Sequence, residues 1–468
     1  MTEILLATRP AAPARRWRPI VRESARLNHP GTADIAHVPG KRGLPIVGVM
    51  PEALLDPLGF SARMVARYGP VYRFHAFGNW HVHLTGPEAN ELVLFDESGI
   101  FSAREGWGQL IEPLFPGALL IKDGPEHRVD RRLMGEAFKQ AQLTGYQEIF
   151  AHDIRGSVEG WLGRRISPYP EIRRLTFRIA ASTFLGVPLE REAKLAIRSL
   201  GRMIRSLLAM GTMPSLARAR GHIARAQLEL ILSRLIAAKR EMPGTAFLSR
   251  MANLRDAQGE LLAPAKICDS FTFLLSAAHD TLASSLTSLV HFLAAFPEWT
   301  SVLRDELDAS GIEDPVQAAT AALPLMDMFY KETLRLNGPA PVVWRRAVRD
   351  FSVYGHRIPA GTMCGANLMM AHRLPSVWPE PSRFDPLRFS PEAERARSRF
   401  AYIPFGAGVH KCLGMHFAQQ QARIFVALLL QRADLRLAGS RPVRWYHWPN
   451  CRPRGPFHLD VLPRHRGK

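Results

Sequence analysis

Cysteine is scarce in this chain: four residues in 468, at Cys268, Cys364, Cys412 and Cys451. They lie far apart, with no C-x-x-C pair and no C-x-x-C-H sequence, so a disulfide framework is excluded and a reducing compartment is expected. Long apolar runs are also missing. The start, MTEILLATRPAAPARRWRP, has only a short LLA before prolines and arginines, which is neither a secretory signal nor a span. The longest apolar stretch, Phe271 to Phe296, is broken by His279, Asp280 and His291, and predicts a buried helix. A cytoplasmic protein is expected, with peripheral membrane contact left open.

Acidic residues are in deficit. Forty-two Asp and Glu face 61 Lys and Arg, giving a net charge of +19 and a pI near 10.5. Such a balance favours nucleic acid, anionic lipid or an acidic protein. No nucleic-acid-binding pattern accompanies it, so nucleic acid is set aside and an acidic protein partner is expected first.

The remaining composition, 47% hydrophobic and 22% charged, is that of a globular protein able to bury a large core. Residues 1–40, rich in Arg, Ala and Pro, are expected to form a flexible N-terminal extension, with a single domain over 41–468. Two strands joined at Gly78 are predicted within Val71–Thr85, and a further β region after Val342 with turns at Tyr354-Gly355 and Ala360-Gly361. Helices are predicted over Gly124–Phe138, Pro170–Gly186, Leu216–Met242, Ala265–Phe296, Met326–Asn337 and from Cys412 to Arg432. The expected class is mainly α with small β-sheets.

The most informative segment is Phe405-Gly406-Ala407-Gly408-Val409-His410-Lys411-Cys412-Leu413-Gly414. Glycines let a backbone turn tightly and approach a flat ligand where a Cβ would clash. A cysteine beside a helix start gains thiolate character from the unpaired N–H groups, which also donate to sulfur and tune a bound iron. A zinc site from His410, Cys412 and His416 lacks a second nearby cysteine to complete its tetrahedron.

This F-x-x-G-x-H-x-C-x-G pattern resembles the haem-binding loop of the cytochrome P450 family, matching at Phe405, Gly408, His410, Cys412 and Gly414. The resemblance extends over about residues 40 to 465 and implies the cytochrome P450 fold, a triangular α-rich domain with a β-rich N-terminal region. It makes Cys412 the axial ligand of haem b, with Phe405 shielding the sulfur. Glu332 and Arg335, one helical turn apart, match the family's E-x-x-R pair, closed by Arg388 in the loop Phe384–Phe389. Asp280-Thr281 resembles the acid–alcohol pair that manages protons on the distal side. Ala278 stands where glycine is usual and Leu282 where a second hydroxyl is frequent. His127 and Arg131 resemble the H-x-x-x-R pair that grips a propionate, with Arg345 and His410 as further contacts.

The implied enzyme is a haem-thiolate monooxygenase that inserts one oxygen atom of O2 into a lipophilic terpenoid, steroid, fatty acid or polyketide. Pocket walls are expected from Trp107, Leu110, Ile111, Leu114, Phe273, Leu274, Ala277, Val342, Val343 and Trp344. The 87–123 region resembles the sterol- and retinoid-oxidising branches. Only 56 residues follow Cys412 in the chain of 468, too few for a reductase domain. Electrons derived from NAD(P)H are therefore expected through an external reductase and a ferredoxin, with flavodoxin second. The carrier would dock on a basic patch including Lys411 and Arg423, and the enzyme is expected to be a monomer. The competing readings are a peroxide-using or rearranging haem-thiolate enzyme and, from another class, a non-catalytic haem sensor.

Overall fold

The apolar stretch in the middle of the chain builds a 32-residue helix, Pro264–Ala295, with Pro264 at its start where no N–H partner is needed. Most of its side chains are buried, as an all-round apolar helix requires. Helices Pro168–Ala180, Leu216–Glu241 and Pro324–Asn337 pack against it. The last helix, Met415–Arg432, lies on Gln140–Trp161. Between them Phe417 meets Phe150 edge-on, with ring centres 4.9 Å apart, and stacks on Phe184 at 5.2 Å. The structure, a computed structural model, describes residues 29–187, 192–208, 216–256 and 258–464.

A six-stranded sheet stands beside the helices, in the order Gly40–Lys41, Val71–Ala76, Asn79–Leu84, Met363–Ala366, Val343–Ala347, Phe101–Ser102. Val71–Ala76 pairs antiparallel with Asn79–Leu84 through the turn at Phe77-Gly78. Asn79–Leu84 then runs parallel to Met363–Ala366. The second predicted β region forms the hairpin Phe351–Val353 and His356–Ile358, with Tyr354 and Gly355 both at positive φ. Of the expected extension, residues 1–28 lie outside the described residues, while Ile35 and Val38 are buried in the core beside the sheet.

Element boundaries differ in instructive ways. The helix predicted from Pro170 begins at Pro168, because either proline suits a first turn that needs no N–H. It widens into a π-turn at Ala181–Leu185 before Gly186 stops it in the left-handed region. The helix over 124–138 ends at Gly135 and tightens into a 3-10 turn, Glu136–Phe138. The final helix starts at Met415 rather than Cys412, which sits in the preceding loop.

Glu332 and Arg335 are both completely buried. Arg335 Nε and Nη2 donate to the two carboxylate oxygens of Glu332 at 2.6 and 2.8 Å. Nη1 donates to the carbonyls of His372 and Pro381, and Nη2 also to that of Arg383. All five guanidinium N–H groups are thus used. Asp385 N–H donates to Glu332 at 2.8 Å, and Arg388 Nε lies 3.7 Å from the same carboxylate oxygen. Removing one partner of such a pair leaves a buried charge uncompensated and typically costs about 3–5 kcal/mol. Arg335→Ala is expected to lower the thermal midpoint by that equivalent or to prevent recovery of folded protein. Arg335→Lys should rescue little, since an ammonium cannot supply the planar fork.

Candidate haem-thiolate active site

The cysteine loop closes on itself before meeting any ligand. Cys412 N–H donates to Phe405 O at 2.9 Å, Gly406 N–H to Ile403 O at 2.9 Å and Lys411 N–H to Gly408 O at 3.1 Å. Gly408, at φ 63°, is required twice over: a Cβ there would lie 2.2 Å from the carbonyl oxygen of Leu94. Cys412 opens onto a cavity of about 340 Å³ and is otherwise enclosed by protein. Burial raises its thiol above the ordinary value, while a Gly414 N–H bond and the charges of Arg131 and Lys411 pull the other way. Because Gly414 caps the final helix, the helix start acts on the sulfur through that N–H rather than from Cys412 itself.

Across the cavity runs the central helix. Ala277 and Thr281, one turn apart, are exposed to the cavity while most of the helix is buried. Thr281 Oγ1 donates to the Ala277 carbonyl at 2.7 Å, a back-bond that leaves the hydroxyl oxygen free to accept. Ala278 and Leu282 also line the space. Asp280 does not. Its carboxylate turns to Arg173, with Nη2 at 3.1 Å and Nε at 3.2 Å. His279 Nε2 lies 3.5 Å from the same oxygen, and His279 Nδ1 meets Thr176 Oγ1 at 3.0 Å.

His127, Arg131, Arg345 and His410 gather on the same cavity. The His127 and His410 rings stand 4.1 Å apart, and Arg131 Nη2 donates to Lys411 O at 2.5 Å. Arg345 is fully enclosed, and burial pushes its guanidinium down to about 10 despite the attraction of Asp123 and Asp96. Among the described residues no carboxylate comes within ion-pair reach of Arg345 or Arg131, and His127 Nε2 is buried without a partner. Burial and the Arg131 charge hold His127 down at about 4, so its ring is neutral near pH 7. Buried cations and an unused ring nitrogen call for an anion. A dianionic group whose carboxylates these side chains would hold, with Cys412 available to its metal, would satisfy all of them, and haem fits that description.

Residues 38–457 match the family model described as Cytochrome P450. The chain belongs to the cytochrome P450 family. Family membership implies a haem iron and monooxygenase activity. The chain is 32% identical over 449 residues to putative cytochrome P450 136 of Mycobacterium tuberculosis, covering 93% of this chain and 89% of that one. It is 28% identical to cytochrome P450 26A1 of Xenopus laevis, covering 86% of each. Among solved structures, retinoic acid-bound cyanobacterial CYP120A1 superposes with a TM-score of 0.83 at 26% identity, covering 91% of this chain and 99% of that one.

The cytochrome P450 cavity is walled by only part of the expected set. Phe273, Leu274, Ala277 and Val343 line it, whereas Trp107, Leu110, Ile111, Leu114, Val342 and Trp344 do not. The helix Ala103–Ile111 turns Ile111, Trp107 and Leu110 into the main core instead. The wall there comes from Gly117, Leu119 and Leu120, just past the segment that the family resemblance singled out. Ser285 and Tyr330 also line the cavity, and neither carried a sequence signal. Arg423 is not part of a free basic patch. It makes a two-pronged ion pair with Asp327, at 2.8 and 2.7 Å, and donates to the carbonyl of Ala321. Lys411 remains exposed beside the cysteine.

Gly408→Ala combines a left-handed φ with a backbone collision, so a loss of more than about 1 kcal/mol is expected. A lower haem-to-protein ratio and a lower thermal midpoint would register it. Gly145→Ala, in open space on a helix, serves as the control, with an unchanged haem-to-protein ratio and an equal or higher midpoint.

Proposed function

We propose that Cys412 ligates the iron of haem b and that this monooxygenase oxidises a lipophilic terpenoid of the retinoid kind, drawing electrons from a ferredoxin. The observation that carries the reading is one cavity with Cys412 on one side, Ala277 and Thr281 across from it, and Arg131, Arg345, His127 and His410 gathered on it. Bound there, haem supplies oxygen activation: one atom of O2 enters a C–H or C=C bond and the other leaves as water, with two electrons and two protons consumed.

The chain's own residues do the rest. Arg345 and Arg131 pair with propionates, for which a guanidinium fork is suited. His127 Nε2 and His410 add donors. The Gly414 N–H donates to sulfur and sets how much charge it offers the metal. Thr281 Oγ1, its proton committed to Ala277 O, accepts from a water at the oxygen site. Asp280 returns protons from the Arg173 side by rotating between that partner and the cavity. Glu332, Arg335 and Arg388 hold the framework. Leu282 offers no second hydroxyl, which leaves Thr281 as the hydroxyl nearest this task; Ser285, a turn further on, donates to the Leu282 carbonyl.

The substrate class is supported by the apolar wall of Leu119, Leu120, Phe273 and Leu274 and by the retinoic acid in the related CYP120A1 structure. A ferredoxin is supported by the net charge of +19 and by exposed Lys411 next to the proposed ligand. NAD(P)H would feed it through a separate reductase, and the enzyme would work as a cytoplasmic monomer.

With carbon monoxide, the reduced protein should give the strongly red-shifted Soret band of thiolate ligation, and Cys412→Ser should lose it. A histidine-type spectrum in the unaltered protein overturns the assignment. With surrogate ferredoxin and reductase, retinoic acid should shift the spin state and drive O2-dependent NADPH consumption. Thr281→Ala is expected to keep that consumption but lose product by roughly tenfold or more, as for other positioned proton-handling groups. Product with peroxide alone would point to a peroxygenase instead.

A further inference from the structure

The cavity extends well past the groups that serve the cysteine. Along the central helix, Pro264–Ala295, its wall runs from Ser270 through Phe273, Leu274 and Ala277 to Thr281. Ser270 and Thr281 are eleven residues apart. At about 3.6 residues per turn and 1.5 Å per residue, they share one helix face and stand ~16 Å apart along its axis. The face between them is apolar, and Leu119 and Leu120 add to the same wall. Ser270 differs from the other hydroxyls on this cavity. Thr281 and Ser285 commit their protons to helix carbonyls, at 2.7 and 3.0 Å. Tyr330 bonds to Ser285 at the cysteine end. Among the described residues Ser270 Oγ has no hydrogen-bond partner.

Its end of the cavity is firmly built. Gly117 packs directly on the helix there, since a Cβ on it would lie 2.5 Å from Asp269 Cβ and 3.1 Å from Ser270 N. Arg225 donates to Leu114 O at 2.7 Å and pairs with Asp269 and Glu229. Lys266, one turn before Ser270, lies 3.8 Å from Asp130. These neighbouring cations are already matched by carboxylates.

We infer that Ser270 is a specificity-determining residue, whose hydroxyl holds a neutral oxygen group at one end of an elongated lipophilic substrate while the opposite end is oxidised beside Thr281. The inference rests on the monooxygenase reading above and adds length, polarity and regiochemistry to it. A body spanning three helical turns fills the apolar stretch, and a second polar group midway along it would be buried without a partner. A serine hydroxyl both donates and accepts, so it serves an alcohol or a carbonyl equally. It cannot neutralise a carboxylate, whose burial without a cation costs far more than that of a neutral group. With Arg225 and Lys266 already engaged, the far end suits an alcohol, aldehyde or ketone rather than an acid.

Spin-state titrations of the haem-loaded full chain give dissociation constants without turnover. Retinol and a series of long-chain 1-alkanols would each be compared with the hydrocarbon lacking the hydroxyl and with the matching carboxylic acid. The best-fitting alcohol is expected to bind roughly three- to tenfold tighter than its hydrocarbon, the worth of one neutral hydrogen bond, and tighter than its acid. Ser270→Ala should erase the alcohol's advantage and leave the hydrocarbon unchanged or tighter. Ser276→Ala, on the same helix but off the cavity, should change neither. Mass spectrometry of turnover products should place the new oxygen at the end remote from the hydroxyl. A panel in which no alcohol outbinds its hydrocarbon overturns the proposal, as does a Ser270→Ala variant that keeps the preference. A preference for the acids overturns the neutral-group assignment, and oxidation at the hydroxyl-bearing carbon overturns the orientation. The carbon monoxide band separates these outcomes from the parent reading. A histidine-type spectrum sinks that reading, whereas an intact thiolate band with equal affinities sinks only the role of Ser270.

Discussion

The saturated guanidinium of Arg335 is the constraint on which the rest of this structure leans. A buried charge survives only if every donor finds an acceptor, and here the acceptors come from Glu332 and three separate carbonyls. One of them belongs to His372, whose ring continues the connection: Ile403 N–H donates to His372 Nε2 at 3.1 Å. Burial keeps that imidazole neutral, down at about 3, so the nitrogen can accept. Ile403 O in turn receives Gly406 N–H, and Phe405 O receives Cys412 N–H. Hydrogen bonds, joined through the backbone of residues 403–406, therefore lead from a helix ion pair to the position of one sulfur. The ion pair itself lies away from the cavity, yet through these bonds it helps set where the cysteine stands.

The opposite electrostatic strategy operates inside the cavity. Arg335 is neutralised by its own chain, while among the described residues Arg345 and Arg131 have no carboxylate within ion-pair distance. A protein with spare cations at one buried site and saturated ones at another has assigned the first to a ligand. The same distinction separates Arg423, consumed by Asp327, from Lys411, which remains in solvent.

The cysteine loop was legible because its requirements are local. Gly408 must accept positive φ and close approach to Leu94, and no other residue type does both. The strands about Gly78 and the central helix were legible for the same reason, since alternation and an all-round apolar face are short-range signals. What stayed hidden depends on partners distant in sequence. Asp280 faces Arg173, and Arg423 faces Asp327, through packing that spacing cannot encode. The cavity wall shifted from 107–111 to 117–120 because one amphipathic helix has two apolar destinations, core or cavity, and its sequence does not choose between them. Tyr330 and Ser285 are ordinary helix residues until the fold brings them together around the same space.

The six-stranded sheet carries a consequence for biosynthesis. Asn79–Leu84 has as its parallel neighbour Met363–Ala366, and Phe101–Ser102 pairs with Val343–Ala347. The early strands therefore leave the ribosome long before their partners exist. The outer edge of Asn79–Leu84, whose other edge pairs at once with Val71–Ala76, and Phe101–Ser102 stay open through the synthesis of every helix in between, a situation that invites chaperone protection. The loop bearing Cys412 emerges later still. Capture of a cofactor through Cys412, as proposed, would therefore follow the synthesis of the strands that close the sheet.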